Sequence, residues 1–292
     1  MAFGVAAYLI WGLFPLYWPL LHPAGALEIL AHRMIWSLAV MAVVMTVTRG
    51  WPALRVPARV WVLVAAAAVL IAVNWGVYIW AVNNGRVVDA ALGYFVNPLV
   101  SVLLGVAVFR ERLRPAQWVA VGLGAAAVLV IGVAGGSVPW VALVLAASFG
   151  LYGLVKKVVP LPPAASLTAE GLVLLVPALG FLVVLQVTGA STLTGNGTGH
   201  VVLLAGAGLL TCVPLLAFAT AARALPLSTL GLLQYLTPVA QFLLGVFWAH
   251  EAMSPSRWVG FGMIWLALTV LSVDGLRRIR RQAAAPTPAP TS

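Results

Sequence analysis

The sequence predicts an all-α integral membrane protein with ten transmembrane helices in two inverted repeats of five helices each. Two observations support this prediction. First, 63% of the 292 residues are hydrophobic and only 8% are charged, whereas soluble domains carry about 25% charged residues. Second, two stretches that lie 140 positions apart repeat one another, and this offset divides the helices into two equal sets.

The ten segments emerge from a window of about 20 residues, the length of helix that crosses the bilayer core. Each should be helical, because a chain in lipid must satisfy its backbone hydrogen bonds internally. The first segment lacks the positively charged start of a signal peptide and is interrupted by Pro15 and Pro19, so we interpret it as a membrane helix. The approximate bounds are 3–21, 25–48, 60–82, 88–109, 115–133, 139–156, 164–188, 200–221, 227–249 and 255–274.

The basic residues predict the orientation of these helices. The net charge of +10 lies between apolar segments rather than in a patch interleaved with aromatic residues, so no nucleic-acid partner is expected. With the N-terminus inside, only Arg86 and Arg257 fall in outer loops, which predicts that both termini are cytoplasmic. Thirteen basic residues then fall inside: Arg49, Arg55, Arg59, Arg110, Arg112, Arg114, Lys156, Lys157, Arg223, Arg277, Arg278, Arg280 and Arg281.

The internal repeat defines the domain organisation. Eight of the 23 residues in 96–118 are identical to their counterparts in 236–258. Because five is an odd number of crossings, the second copy would enter the membrane upside down, as in many secondary transporters. We expect a first repeat over 1–138, a second over 139–276, and a basic and then disordered cytoplasmic tail over 277–292. The identical positions are Pro98/Pro238, Leu103/Leu243, Leu104/Leu244, Gly105/Gly245, Val106/Val246, Glu111/Glu251, Pro115/Pro255 and Trp118/Trp258.

Both repeats carry a polar, proline-interrupted stripe at equivalent positions. These side chains either form hydrogen bonds between helices, as polar groups in membranes commonly do, or line a substrate cavity. The prolines leave backbone carbonyls that must be satisfied by neighbours or water, which favours a packed or water-lined position. The fourth helix has Tyr94, Asn97, Pro98 and Ser101 on this stripe, and the ninth has Gln234, Thr237, Pro238 and Gln241.

Other polar and aromatic residues lie far enough from helix ends to be candidates for substrate binding. They are Tyr8 and Trp11 on the first helix, Asn74 and Tyr78 on the third, and Tyr152 on the sixth. Aromatic residues near helix ends are more often interfacial anchors. Together with the two stripes, these residues predict a binding site between the halves.

The second helix contains Glu28, His32 and Arg33. An ionisable group inside a membrane helix is a functional candidate, because a charge that faces lipid is costly. Arg33 would either attract an anionic group of the substrate or hold Glu28 and His32 in place. The alternative is that all three lie in the outer third of the bilayer, extend to the headgroups and pair locally.

The remaining acids have structural interpretations. Glu111 and Glu251 would lie on opposite faces of the membrane, so no single site could use both, and each precedes a helix that starts with proline. Arg86 and Asp89 are expected to pair across three residues at the start of the fourth helix.

Several strings in the sequence resemble the RarD branch of the EamA-type drug/metabolite transporters. The resemblance covers nearly all of residues 3–281. It implies an inner-membrane permease with two five-helix EamA-like repeats, in a branch whose members are often labelled chloramphenicol-sensitive proteins. The strings are "AAYLIWG" (6–12), "EILAHRMIWS" (28–37), "NWGVYIWAVNNG" (74–85), "LGYFVNPL" (92–99), "FGLYGLVKK" (149–157) and "LSTLGLLQYLTP" (227–238).

The predicted function is transport of a small metabolite or drug-like solute across the bacterial inner membrane by alternating access. A membrane enzyme is the alternative from another class, but the sequence has no paired-acid, His/Asp or metal-ligand cluster, so we expect no enzyme activity, metal or cofactor. A channel and a regulatory membrane protein are further alternatives. The expected partners are the lipid bilayer and a small-molecule substrate, and the sequence leaves open a coupling ion such as a proton, and a homodimer.

Overall fold

The computed structural model describes residues 1–110, 112–225 and 227–283, and the part of the chain within these ranges contains helices and no strands. The predicted tail beyond residue 283 lies outside the described residues. The helices are α1 (Ala2–Gly12), α2 (Phe14–Tyr17), α3 (Ala26–Val47), α4 (Ala58–Asn83), α5 (Val87–Phe109), α6 (Pro115–Ala134), α7 (Trp140–Val158), α8 (Pro163–Val187), α9 (Gly197–Ala224), α10 (Leu227–Leu233), α11 (Leu236–Leu243) and α12 (Pro255–Ala283).

Eight of the ten predicted segments form single helices that are long and apolar enough to cross a membrane, namely α3 to α9 and α12. Large apolar side chains on these helices face outward: Val133 and Val187 are 80% and 82% exposed. Such a surface is stable only against lipid, so the chain is a multi-pass membrane protein, as the composition predicts.

The first predicted segment is bent rather than straight. α1 and the following stretch, Phe14–Leu21, meet at an angle of 45°, and the second stretch ends in a short 3₁₀ turn, Trp18–Leu21. Pro15 causes the break, because it has no N–H for the carbonyl of Trp11 and its ring crowds that carbonyl. The bend leaves the Trp11 carbonyl free for a side chain from elsewhere in the bundle.

The ninth predicted segment, 227–249, is interrupted instead of forming one helix. α10 and α11 are separated by a turn at Gln234 and Tyr235, and α11 continues into a single π-helical turn, Leu244–Trp248. Pro238 explains the turn, since it removes the N–H that would bond to the carbonyl of Gln234. Broken helices of this kind occur in membranes where the backbone is buried in protein or lines a cavity.

The main helix contacts each join a helix from the first half of the chain to a helix from the second half. α1 contacts α9 and α11, α3 contacts α8 and α9, α4 contacts α7 and α8, α5 contacts α7 and α11, and α6 contacts α12. One apolar core surrounds Trp18, Ile29 and Tyr78, and a second surrounds Phe95 and Phe261.

A close approach between α3 and α9 sets the position of Arg33. A Cβ atom at Gly208 would lie 2.5 Å from the backbone carbonyl carbon of Trp36, so only glycine allows the two helices to come this close. Arg33 precedes Trp36 by one helical turn and Thr211 follows Gly208 by one turn, which brings these two polar side chains into contact across the same interface.

Candidate functional site

Arg33 lies inside the bundle and is only 2% exposed. Its guanidinium stacks on the ring of Trp75 at 3.7 Å from the ring centroid, and the rings of Trp18 and Phe14 lie 5.2 and 5.5 Å away. Nε donates a 2.8 Å hydrogen bond to Oγ1 of Thr211. Nη1 is buried and has no hydrogen-bond partner among the described residues. The aromatic rings stabilise the cation but leave part of its donor capacity unused.

The structure separates Arg33 from the neighbours that the sequence suggested. Glu28 accepts a 2.7 Å hydrogen bond from the backbone N–H of Thr192 and therefore holds the loop between α8 and α9. His32 lies near Glu28 and His200. Arg33 instead faces Thr211 and Trp75, so local pairing of all three residues is not what the structure contains.

Asn74 is the centre of a second set of contacts and is 1% exposed. Its Nδ2 donates to the backbone carbonyl of Leu145 and to Oγ of Ser148, both at 3.0 Å. Its Oδ1 accepts a hydrogen bond of 3.1 Å from the hydroxyl of Tyr94. One side chain of α4 therefore joins α5 in the first half of the chain to α7 in the second.

Gln241 connects α11 with α4 and α1. Its Nε2 donates to the hydroxyl of Tyr78 at 3.0 Å and to the carbonyl of Trp11 at 3.3 Å. This is the carbonyl that Pro15 leaves without an intrahelical partner, so the side chain compensates for the bend in the first segment. Oε1 of Gln241 is buried without a partner among the described residues.

Thr237 and Tyr8 extend this network to α1. Oγ1 of Thr237 donates to the backbone carbonyl of Tyr8 at 2.8 Å, and the ring of Tyr8 packs edge-on against Trp11 with 5.5 Å between centroids. The rings of Tyr78 and Tyr94 lie 5.7 Å apart, which links the two sets of hydrogen bonds.

Seven of the predicted site residues thus meet in one region of the bundle, and four lie elsewhere. The seven are Tyr8, Trp11, Arg33, Asn74, Tyr78, Tyr94 and Thr237. His32 lies closer to the loop that Glu28 holds, Tyr152 contacts Glu170, Asn97 packs against Gly150 of α7, and Gln234 is in the turn between α10 and α11.

Sequence reasoning missed a buried charged cluster formed by Glu170 with Lys156, Tyr152 and Ser166. Glu170 is 2% exposed, and its Oε1 forms an ion pair with Nζ of Lys156 at 2.6 Å. The hydroxyls of Tyr152 and Ser166 donate to the same carboxylate, each at 3.1 Å. The signal was an acid seven residues inside an apolar helix, which is costly unless it is paired.

A small, mostly apolar cavity lies beside this cluster. Its volume is about 20 Å³, room for one or two water molecules. Glu170, Ser37 and Trp75 line it; Trp75 carries the ring that Arg33 stacks on, and Oγ of Ser37 is buried without a partner among the described residues.

Two acids near the N-terminus of α5, Glu251 and Asp89, have structural partners. The Glu251 carboxylate accepts hydrogen bonds from the backbone N–H groups of Val87 and Val88, where the helix dipole favours a negative charge. Burial nevertheless raises the pKa of this carboxyl above its usual value. Asp89 pairs with Arg257 at 3.0 Å, so the expected pair with Arg86 is wrong. The tertiary partner replaces the local one because α12 begins beside α5. Glu111 lies outside the described residues.

The comparison with known proteins identifies similar chains along the whole length. The model of the EamA-like transporter family matches residues 1–133. Protein RarD of Streptomyces exfoliatus is 54% identical over 296 aligned positions, covering 98% of this chain and 94% of that protein. A Bacillus subtilis protein described as the uncharacterized transporter YojE is 44% identical, and the alignment covers 94% of this chain and 94% of that protein.

A solved crystal structure shows the same fold. It superimposes with a TM-score of 0.61 at 19% sequence identity, covering 97% of this chain and 98% of the other. At this identity the likeness concerns the fold alone.

Proposed function

The chain belongs to the EamA-like transporter family, in the branch of the RarD proteins, and on this premise we propose that it is a secondary permease. It moves a small metabolite or drug-like solute across the bacterial inner membrane by alternating access. The solute binds between the two halves of the chain, at the region where Arg33, Asn74, Tyr78, Tyr94 and Gln241 meet.

One observation carries this proposal. Six buried side-chain polar atoms of the helix bundle have no hydrogen-bond partner among the described residues: Nε1 of Trp18, Nε2 of His32, Nη1 of Arg33, Oγ of Ser37, Oδ1 of Asn97 and Oε1 of Gln241. Native proteins leave few such groups, because each costs about 1–3 kcal/mol. Asn97 and Gln241 lie on the proline-containing helices α5 and α11, and unpartnered polar groups of this kind are what a site that binds a polar solute and water in turn would contain.

The helix contacts support two inverted repeats in a ten-segment arrangement. Here α1 and α2 count as segment one, α3 to α9 as segments two to eight, α10 and α11 as segment nine, and α12 as segment ten. If segments one to five are exchanged with segments six to ten, the contact of α1 with α9 becomes the contact of α7 with α4. The contact of α3 with α9 likewise becomes that of α8 with α4, and the contact of α5 with α7 becomes that of α11 with α1. All six of these pairs are present. A pseudo-two-fold axis between the halves explains this exchange.

Individual residues follow the same symmetry. Val100 and Ala240 are equivalent at the offset of 140. A Cβ atom added at Gly150 of α7 would lie 3.0 Å from the side chain of Val100. A Cβ atom added at Gly12 of α1 would lie 2.6 Å from the side chain of Ala240. Val100 and Ala240 thus each pack on a glycine in the first segment of the opposite half, although Gly12 and Gly150 are 138 rather than 140 positions apart. This similarity supports units of 1–138 and 139–276.

Glu170 is the candidate for coupling transport to an ion gradient. Glu170 lies seven residues from the start of α8, inside its apolar span. Glu28 and Asp89 lie within the first turn of their helices, and Asp274 lies three residues from the end of the apolar span Pro255–Arg277. We assign to Glu170 the coupling proton, with Lys156 as the group that stabilises the carboxylate when the proton leaves. The small cavity is lined by Glu170 and by Trp75, on whose ring Arg33 stacks.

Thiol labelling tests whether the polar stripes line the path. In a Cys212→Ala background, we expect single cysteines at 97 and 237 to react with a small water-soluble thiol reagent, because both positions are only partly buried and lie on broken or proline-containing helices. Cysteines at 103 and 243 are the matched controls. Leu103 and Leu243 occupy equivalent positions and are 45% and 46% exposed on the apolar outer surface, where lipid excludes the reagent.

The expected result is reaction at 97 and 237, with little reaction at 103 and 243. If positions 97 and 237 remain unreactive in every condition while a loop cysteine reacts, these residues only join helices and the proposed path is wrong.

A further inference from the structure

We infer that the permease carries solutes with an oxyanionic group, a carboxylate, phosphate or sulfonate, and that Arg33 binds this group. The inference rests on the proposed function, because it assigns a substrate class to the same site. The guanidinium of Arg33 does not use all of its hydrogen-bond donors within the described residues. Arginine has five N–H donors in a planar fork; Nε is used by Thr211, and Nη1 is buried without a partner among the described residues.

The charge of Arg33 also lacks a counter-ion in the part of the chain that the structure describes. Every described acid is engaged elsewhere: Glu28 with Thr192, Asp89 with Arg257, Glu170 with Lys156, Glu251 with Val87 and Val88, and Asp274 with Arg114. A buried cation without an anion is costly in a membrane protein. The aromatic rings offset part of this cost, and an anion that enters the site would offset more.

The position of the guanidinium fits an anion that arrives from the substrate path rather than from the lipid. Arg33 is in the interior, between α3, α4 and α9, and Tyr78 and Tyr94 lie within electrostatic range. Their hydroxyl groups belong to the networks of Gln241 and Asn74. An oxyanion at Nη1 would therefore be close to further donors.

The surrounding side chains also restrict the rest of the solute. The walls near Arg33 are the rings of Trp75, Trp18 and Phe14, so a flat or apolar body attached to the anionic group would find complementary surface. Cationic solutes would meet a fixed positive charge in a region of low dielectric constant, where like charges repel strongly. The site thus selects anions both by attraction and by exclusion of cations.

The experiment is an untargeted comparison of solutes inside and outside cells. It compares cells without the gene with cells that express the wild type, Arg33→Lys, Arg33→Gln or, as the control, Arg55→Gln, which removes one exposed positive charge from a loop. Protein level is measured in each strain. The probe is the natural solute pool of the cell, supplied at neutral pH.

We expect the solutes that the wild type redistributes to be net anions. Arg33→Gln should reduce this redistribution at least about tenfold at unchanged protein level, since it removes the positive charge and the charge-assisted hydrogen bonds to the anion. Arg33→Lys should retain a part, and Arg55→Gln nearly all.

Three results would contradict the inference in distinguishable ways. If the redistributed solutes are neutral or cationic, the chain is a permease but Arg33 does not select anions. If Arg33→Gln redistributes the same anions at the wild-type rate, Arg33 is only a packing element held by its aromatic neighbours. If no solute is redistributed by the wild type, the proposed function itself fails and the inference fails with it.

Discussion

Glu170→Gln is expected to abolish proton-driven accumulation of the solute, by at least about tenfold, while exchange of solute across the membrane continues. Glutamine preserves the size of the side chain and keeps one oxygen that can accept a hydrogen bond from Tyr152 or Ser166. It loses the second acceptor oxygen and the ion pair with Lys156, and it cannot release or accept a proton at neutral pH. A drop of tenfold corresponds to about 1.4 kcal/mol in a rate barrier. The measurement is uptake into membrane vesicles with and without an imposed pH gradient.

The matched control for this prediction is Ser166→Ala. It removes the hydrogen bonds of the Ser166 hydroxyl with Glu170, at 3.1 Å, and with Lys156, and leaves the titratable group and its ion pair with Lys156 in place. Accumulation should stay close to the wild-type value. If Glu170→Gln vesicles still accumulate solute in response to the pH gradient, Glu170 is a structural partner of Lys156 and the coupling assignment is wrong.

Asn74→Leu is expected to reduce transport at least about tenfold and to destabilise the bundle. Leucine has nearly the same shape as asparagine but makes none of the three hydrogen bonds to Leu145, Ser148 and Tyr94. Interhelical hydrogen bonds in membranes contribute about 0.6 kcal/mol each on average, so the free energy of unfolding should fall by about 2 kcal/mol. Transport should fall further than stability, because the hydroxyl of Tyr94 loses its fixed orientation beside Arg33.

Thr269→Val provides the comparison for Asn74→Leu. Thr269 is an exposed polar residue of α12 whose hydroxyl bonds only to the carbonyl of Trp265 in its own helix, so the change should leave transport unaffected. Measurements of flux and of thermal unfolding on both variants separate the two effects. Equal losses of flux and of folded protein in Asn74→Leu would show that the residue is needed for assembly alone.

The sequence predicted the helical architecture well because lipid imposes strict limits on length and composition. α8, for example, runs over Pro163–Val187, one residue from the predicted 164–188. The same window did not detect the turn at Gln234 and Tyr235, because average hydropathy does not register a single proline. The local effect of Pro238 on the preceding carbonyl would have indicated the break.

The candidate site was only partly predictable, since its contacts join residues that are distant in sequence. Asp89 was expected to pair with Arg86 three residues away, but Arg257 is its partner across 168 positions. One interpretation of the sequence paired Arg33 with Glu28 and His32 nearby, whereas its hydrogen-bond partner Thr211 on α9 is 178 positions away. Such pairs depend on which helices pack together, and Gly208 shows that a single small residue can decide that packing.

Glu170 shows a different limit of sequence reasoning. Lys156 was interpreted as a topology signal because it stands at the inner end of a helix, and its role in a buried ion pair depends on how α7 and α8 meet. The acid itself was visible as a charged residue inside an apolar helix, and the cost of burying it was a sufficient reason to consider it.

The central claim is that the two halves alternate access to one saturable site, and tracer counterflow tests it most directly. Purified protein is reconstituted into liposomes loaded with an unlabelled solute from the cell comparison, and a trace of the labelled solute is added outside. We predict that label accumulates transiently above its equilibrium level, saturates with concentration, and does neither in Asn74→Leu liposomes. Label that enters without overshoot and in linear proportion to concentration would indicate a channel and contradict the claim.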